Sequence, residues 1–128
     1  MNRLVTYRMV DPNQLKRVLK SGKRARFDDL GRFSLVNGTI EFEPDIDLKN
    51  IIWDIFYFDS TRKNEDYNQI TNHLLDRKII ELKGFGKVQV LFHPGHTKIH
   101  DFHGLVEVDP KPYLKFKLDE NFKLNELD

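Results

Sequence analysis

The 128-residue chain contains no cysteine. That excludes a disulfide framework, a thiolate metal site and a cysteine nucleophile. No run of apolar residues approaches the roughly 20 that a membrane-spanning helix needs. The first residues, MNRLVTYRMVDPN, lack the apolar core of a secretory signal. The expectation is a soluble protein with no membrane partner, in a reducing compartment or in a particle made there. No phosphate-cradling glycine loop is present, because the Gly-Phe-Gly at 84–86 is short and precedes a strand rather than a helix. Ser21, Ser34 and Ser60 sit in no nucleophile turn. The paired carboxylates Asp28-Asp29 and Asp45/Asp47 suit turns and helix caps better than acid–base work. The chain therefore reads as no enzyme, with no cofactor.

The net charge of +1 hides a segregation. Residues 1–32 carry nine Lys/Arg (Arg3, Arg8, Lys16, Arg17, Lys20, Lys23, Arg24, Arg26 and Arg32) against Asp11, Asp28 and Asp29. The remainder carries twelve Lys/Arg against seventeen Asp/Glu. Such asymmetry suits either an acidic partner, nucleic acid or a neighbouring copy, or a helix that is simply solvated.

Along the chain, Asp11-Pro12 opens a short helix, NQLKRVLK, that Ser21-Gly22 closes. Asn37-Gly38 between RFSLV and TIEF is a strong hairpin signal. LKNIIWDIFYF places Leu48, Ile51, Ile52, Ile55 and Phe58 at helical spacing, with Asp47 as N-cap. Asn64 with Glu65 and Asp66 reads as the start of another helix through Tyr67, Ile70, Leu74 and Leu75. Ile80, Leu82, Val88, Val90 and Phe92 alternate as two strands, Leu105 to Val108 as a third, and Leu114, Phe116 and Leu118 as a fourth with Lys115 and Lys117 on its other face. DENFKLNEL, with Phe122, Leu124 and Leu127, reads as a short helix. KRARFDDLGRFSL also lies over KIIELKGFGKVQV, matching Phe27 to Leu82, Leu30 to Phe85, Gly31 to Gly86, Phe33 to Val88 and Leu35 to Val90. This is a degenerate half-repeat or a chance likeness of two strand-turn-strand units.

LKGFGKVQV, Gly104 fourteen residues after Val90, and KFKLDENFKLNEL together resemble the HU / integration host factor family of DNA-binding proteins. The resemblance implies an α+β fold over residues 44–128. Two helices would precede a three-stranded antiparallel sheet with a β-arm and a short C-terminal helix. Residues 1–43 would be a basic N-terminal helix and β-hairpin extension. Gly84 and Gly86 would form the tight turn, with Phe85 tucked into the core.

The arm departs from the family pattern. LFHPGHTKIHDFHG has no arginine, His100-Asp101 replaces the tip Asn-Pro, and Lys98 is its one permanent cation. Phosphate neutralisation governs duplex affinity, so this arm should bind DNA poorly at neutral pH. Phe102 could act as a wedge or as simple packing. His93, His96, His100 and His103 would line up on a helix, but an extended arm separates them. They read as a pH-sensitive surface rather than a metal site.

Two functions follow. The first is a structural subunit. A lysine-, asparagine- and isoleucine-rich chain of this kind resembles the integration-host-factor-like tail-ring proteins of AT-rich crAss-like bacteriophages. It would pair with copies of itself or homologous subunits and with other virion proteins, in a virion assembled in the bacterial cytoplasm. The second is an architectural double-stranded DNA-binding protein of the bacterial cytoplasm or nucleoid. In either, Lys16, Arg17, Lys20, Lys23, Arg24, Arg26, Lys87 and Lys98 meet the acidic partner. The arm residues His93, His96, His100, Phe102 and His103 would lie across it.

Overall fold

Asn37 and Gly38 turn the chain with φ of 51° and 80°, the left-handed pair that matches strand twist. They join β3 (Gly31–Val36) to β4 (Thr39–Pro44), and β2 (Ala25–Phe27) pairs with β3 on its other side. Helix α1 (Pro12–Lys20) has the expected punctuation: the Asp11 carboxylate accepts from the backbone N–H of Asn13 and Gln14, and Ser21 follows its end. Helix α2 (Ile46–Phe56) is capped by Asp45, not Asp47. Asp45 accepts from the N–H of Asp47 at 3.1 Å and of Leu48 at 3.3 Å, so Asp47 already lies in the first turn. Helix α3 (Gln69–Leu75) begins at Asn68, whose side chain accepts from the Thr71 N–H at 2.8 Å. The expected start at Asn64 lies outside the described residues, and 66–68 are not helical.

In this computed structural model the structure describes residues 3–57, 66–100 and 104–124, with the backbone alone at 96, 98–100, 106 and 108. The strands β5 (Ile79–Lys83), β6 (Gly86–His93) and β9 (Lys111–Leu118) are antiparallel neighbours, and β1 (Leu4–Met9) adds to β5 in parallel. The resulting order is β1-β5-β6-β9. A second sheet is β2-β3-β4, and β7 (His96–His100) with β8 (Gly104–Val108) forms a two-stranded ribbon. Leu15, Leu19, Phe27, Leu30 and Phe33 share one core with Leu48, Leu74, Ile80, Leu82, Phe85 and Val88. At its centre Phe33 stacks on Phe42 at 4.8 Å and meets Phe85 and Phe116 edge-on at 4.8 and 4.7 Å. Each such pair contributes about 0.5–1.5 kcal/mol beyond area burial.

This architecture corrects the expected HU-type fold. Instead of two helices before a three-stranded antiparallel sheet and a closing helix, the described residues hold three helices and two core sheets, one of them mixed. The N-terminal segment is no mere helix-hairpin extension. It supplies β1 to the large sheet and builds the three-stranded sheet whose inner face enters the core. The expected C-terminal helix is absent through Leu124. Asp119 begins as Asp45 does, accepting from Asn121 N–H at 2.8 Å. The Phe122 N–H then reaches back three residues to the Asp119 carbonyl at 2.9 Å. This turn buries Phe122 against Phe85, with ring centroids 5.0 Å apart.

The half-repeat in the sequence has a structural counterpart. Phe27 pairs with Gly31 as Leu82 pairs with Gly86, and Ala25 with Phe33 as Ile80 with Val88. Beyond it, Phe33–Phe42, Ser34–Glu41 and Leu35–Ile40 correspond to Val88–Phe116, Gln89–Lys115 and Val90–Leu114. The connections repeat as well. Leu30 N–H reaches the Phe27 carbonyl and Asp45 N–H the Leu30 carbonyl; Phe85, Leu82 and Asp119 make the same two bonds. Even the helix exits agree, with Lys23 N–H on the Val18 carbonyl and Lys78 N–H on the His73 carbonyl. The residue before each has positive φ, Gly22 at 84° and Arg77 at 61°. Two equivalent units thus share one core. They differ where the first has the two-residue Asn37-Gly38 turn and the second the β7–β8 ribbon.

Candidate functional site

Strand alternation sorts each sheet into an apolar inner face and a charged outer face. On the outer face of β2-β3-β4 lie Arg26, Arg32, Glu41 and Glu43. Arg32 donates to the Glu43 carboxylate at 2.6 Å. That hydrogen bond, then the charge of Glu43, raises the Arg32 pKa above its ordinary value. Hydrogen bonding from Arg32 lowers that of Glu43, with the charges of Arg32, Arg24 and Lys49 acting in the same sense. An open cleft of about 650 Å³ beside this face is lined by both signs, among them Arg26, Arg32, Lys49, Asp28, Asp29 and Glu43. Its charges offset one another, which suits no single ionic ligand.

The outer face of the large sheet is different. Lys87 lies directly opposite Lys117, and Lys115 is the next outward residue on β9. All three are exposed. Like charges directly opposite each other destabilise a strand pair. Glu81, opposite Lys87, accepts from the Thr6 hydroxyl at 3.0 Å. Among the described residues, none of the ion pairs engages these lysines. Lys115 and Lys117 were legible as the polar side of an alternating strand, but not as neighbours of Lys87, because that depends on the β6–β9 register.

The expected contact residues separate. Lys16 is buried, 3% exposed, on the inner side of α1, with its ammonium 5.3 Å from the Phe122 ring centroid. The stem lies in apolar surroundings, and the charged end is within reach of an aromatic ring. Arg17, Lys20, Lys23 and Arg24 are exposed on and after α1. Arg26 and Lys87 occupy outer faces of different sheets. Gly84, with φ of 92°, and Phe85 make the turn before β6, and Phe85 is fully buried, as expected. Gly86 is needed for another reason: a Cβ there would strike the Lys117 carbonyl and come within 2.6 Å of the Phe116 ring.

The ribbon leaves the fold at His93, whose ring stacks on Tyr113 at 4.1 Å. Among the described residues, β7 and β8 pair only with each other. Leu105 is 74% exposed, and among the described side chains of the two strands Thr97, Leu105 and Glu107 all lie outside the core. The side chains of His96, Lys98 and His100, and all of Phe102 and His103, fall outside the described residues. Among the described residues no helix is long and apolar enough to cross a membrane. Compared with protein-family models and with curated proteins, the chain matches none.

Proposed function

We propose that the chain is a non-enzymatic structural subunit that assembles with copies of itself or homologous subunits, as a ring component in the tail or neck of a bacteriophage virion. The carrying observation is the β7–β8 ribbon. Among the described residues it pairs with no other strand, and its described side chains Thr97, Leu105 and Glu107 are exposed. An isolated two-stranded ribbon is marginal in water, so a second protein surface would stabilise it. The virion setting rests on the sequence resemblance. Sedimentation velocity from low micromolar to high micromolar protein tests the reading: the expected result is concentration-dependent assembly that deletion of residues 94–110 weakens. A monomer throughout would refute it.

A second reading, an architectural double-stranded DNA-binding protein, is favoured by the exposed Lys87, Lys115 and Lys117. Under it, anisotropy with a duplex of about 30 base pairs shows tight binding with a steep log–log salt slope.

A further inference from the structure

The two outer faces occupy equivalent positions in equivalent units, and their charges are largely inverted. Arg26 corresponds to Glu81, Glu43 to Lys117 and Glu41 to Lys115. Arg32 and Lys87 alone keep their sign. The first face thus carries its acids along the edge strand β4, and the second carries lysines along the edge strand β9. Among the described residues, neither edge strand has a strand neighbour on its outer side, since β4 ends its sheet and β9 ends the other. Glu41, Glu43, Lys115 and Lys117 are all exposed.

We infer that these faces are the two halves of one heterologous contact, in which the β4 face of one copy lies against the β9 face of the next. The inference rests on the assembly reading above and names its partner surface. Glu41 and Glu43 offer carboxylates to Lys87, Lys115 and Lys117, which among the described residues make no ion pair within the chain. A phosphate backbone is the poorer match, because Glu81, Asp119 and Glu120 border those lysines and would repel it. The two patches are different surfaces of one chain, so one contact leaves a free patch at each end. Addition continues until a ring closes or a filament grows.

Two variants test it: Glu41→Lys with Glu43→Lys, and Lys115→Glu with Lys117→Glu. Each leaves its chain with two patches of like sign. Sedimentation velocity at low ionic strength should show each variant alone shifted by at least ~tenfold to higher concentration for half-assembly. An equimolar mixture should recover assembly, because each patch again meets its opposite. A misfolded variant could not produce that recovery. High salt should weaken wild-type assembly. If wild type assembles and both variants assemble equally well, or if the mixture fails to recover, the inference is overturned and the assembly reading stands. A monomeric wild type overturns both. Duplex binding by wild type that Lys115→Glu with Lys117→Glu abolishes and Glu41→Lys with Glu43→Lys spares would assign the lysines to phosphate instead.

Discussion

Replacing Gly86 with alanine probes the packing of the two units most directly. Gly86 is buried in β6, opposite Leu118, and its φ is not in the left-handed region. The cost is therefore steric rather than conformational. The added methyl would lie 2.6 Å from two atoms of the Phe116 ring and collide with the Lys117 carbonyl, where carbon atoms prefer about 3.5–4.0 Å. The ring cannot swing away freely, since Phe33 and Phe85 hold it at 4.7 and 4.9 Å. The carbonyl belongs to the β6–β9 ladder. Overpacking of this kind costs about 1–3 kcal/mol, and the upper end applies because backbone must move. Reduced freedom of the unfolded chain returns about 0.4–1 kcal/mol. The net loss is about 2 kcal/mol, which for a chain of this size lowers Tm by roughly 6–8 °C. Urea denaturation and calorimetry read both quantities. Adding Phe116→Leu should leave a double variant less destabilised than the two single losses summed, because the ring collision is gone. A Gly86→Ala protein within about 0.5 kcal/mol of wild type would show that the two strands do not approach as described.

Gly31, the counterpart of Gly86, faces the Glu43 carbonyl and the Phe42 ring and also has φ of 147°. Gly31→Ala should therefore cost at least as much as Gly86→Ala in the same denaturation assay. Asp45→Ala should cost about 1 kcal/mol by removing the α2 cap, and Asp47→Ala less, about 0.3–1 kcal/mol from the helix dipole alone; urea melts reversing that order would restore Asp47 as the cap. Phe33→Ala should cost about 3–5 kcal/mol, enough to leave little of a typical domain's stability, and near-native thermal melting would contradict its central place. Glu43 is held below the ordinary carboxylate value of 4.5 by Arg32, so its contribution is full above that pH and is lost as pH falls through the lower, folded value. The Tm difference between wild type and Glu43→Gln should accordingly shrink toward zero on acidification below about pH 4.

Local chemistry was legible wherever one short stretch decides the outcome. Asp11-Pro12 and Ser21-Gly22 bound α1, Asn37-Gly38 made the hairpin, and alternation placed β5, β6 and β9. These depend on caps, on left-handed turn residues and on a period of two, all of which act within a few residues. The N-cap of α2 was misplaced by two residues because Asp45 and Asp47 have equal cap chemistry. Pro44, which ends β4 immediately before, decides between them. The β1 strand carried an alternating VTYRM, but its parallel partner lies far along the chain, and nothing local specifies such pairing. The closing helix failed for a tertiary reason: burying Phe122 against Phe85 favours a tight turn after Asp119.

The candidate surfaces divide in the same way. The sequence determined which residues are charged, that Lys115 and Lys117 share a strand face, and that the stretch 91–104 is poor in permanent charge. It could also align the two strand-turn-strand units, but not distinguish repetition from chance. Tertiary structure decided that Lys16 is buried, that Lys87 faces Lys117, and that Glu41 and Glu43 occupy the matching positions of the other unit. The physical reason is register. Side-chain period fixes which residues of a strand point together, whereas the pairing of distant strands fixes which strands meet and at what offset.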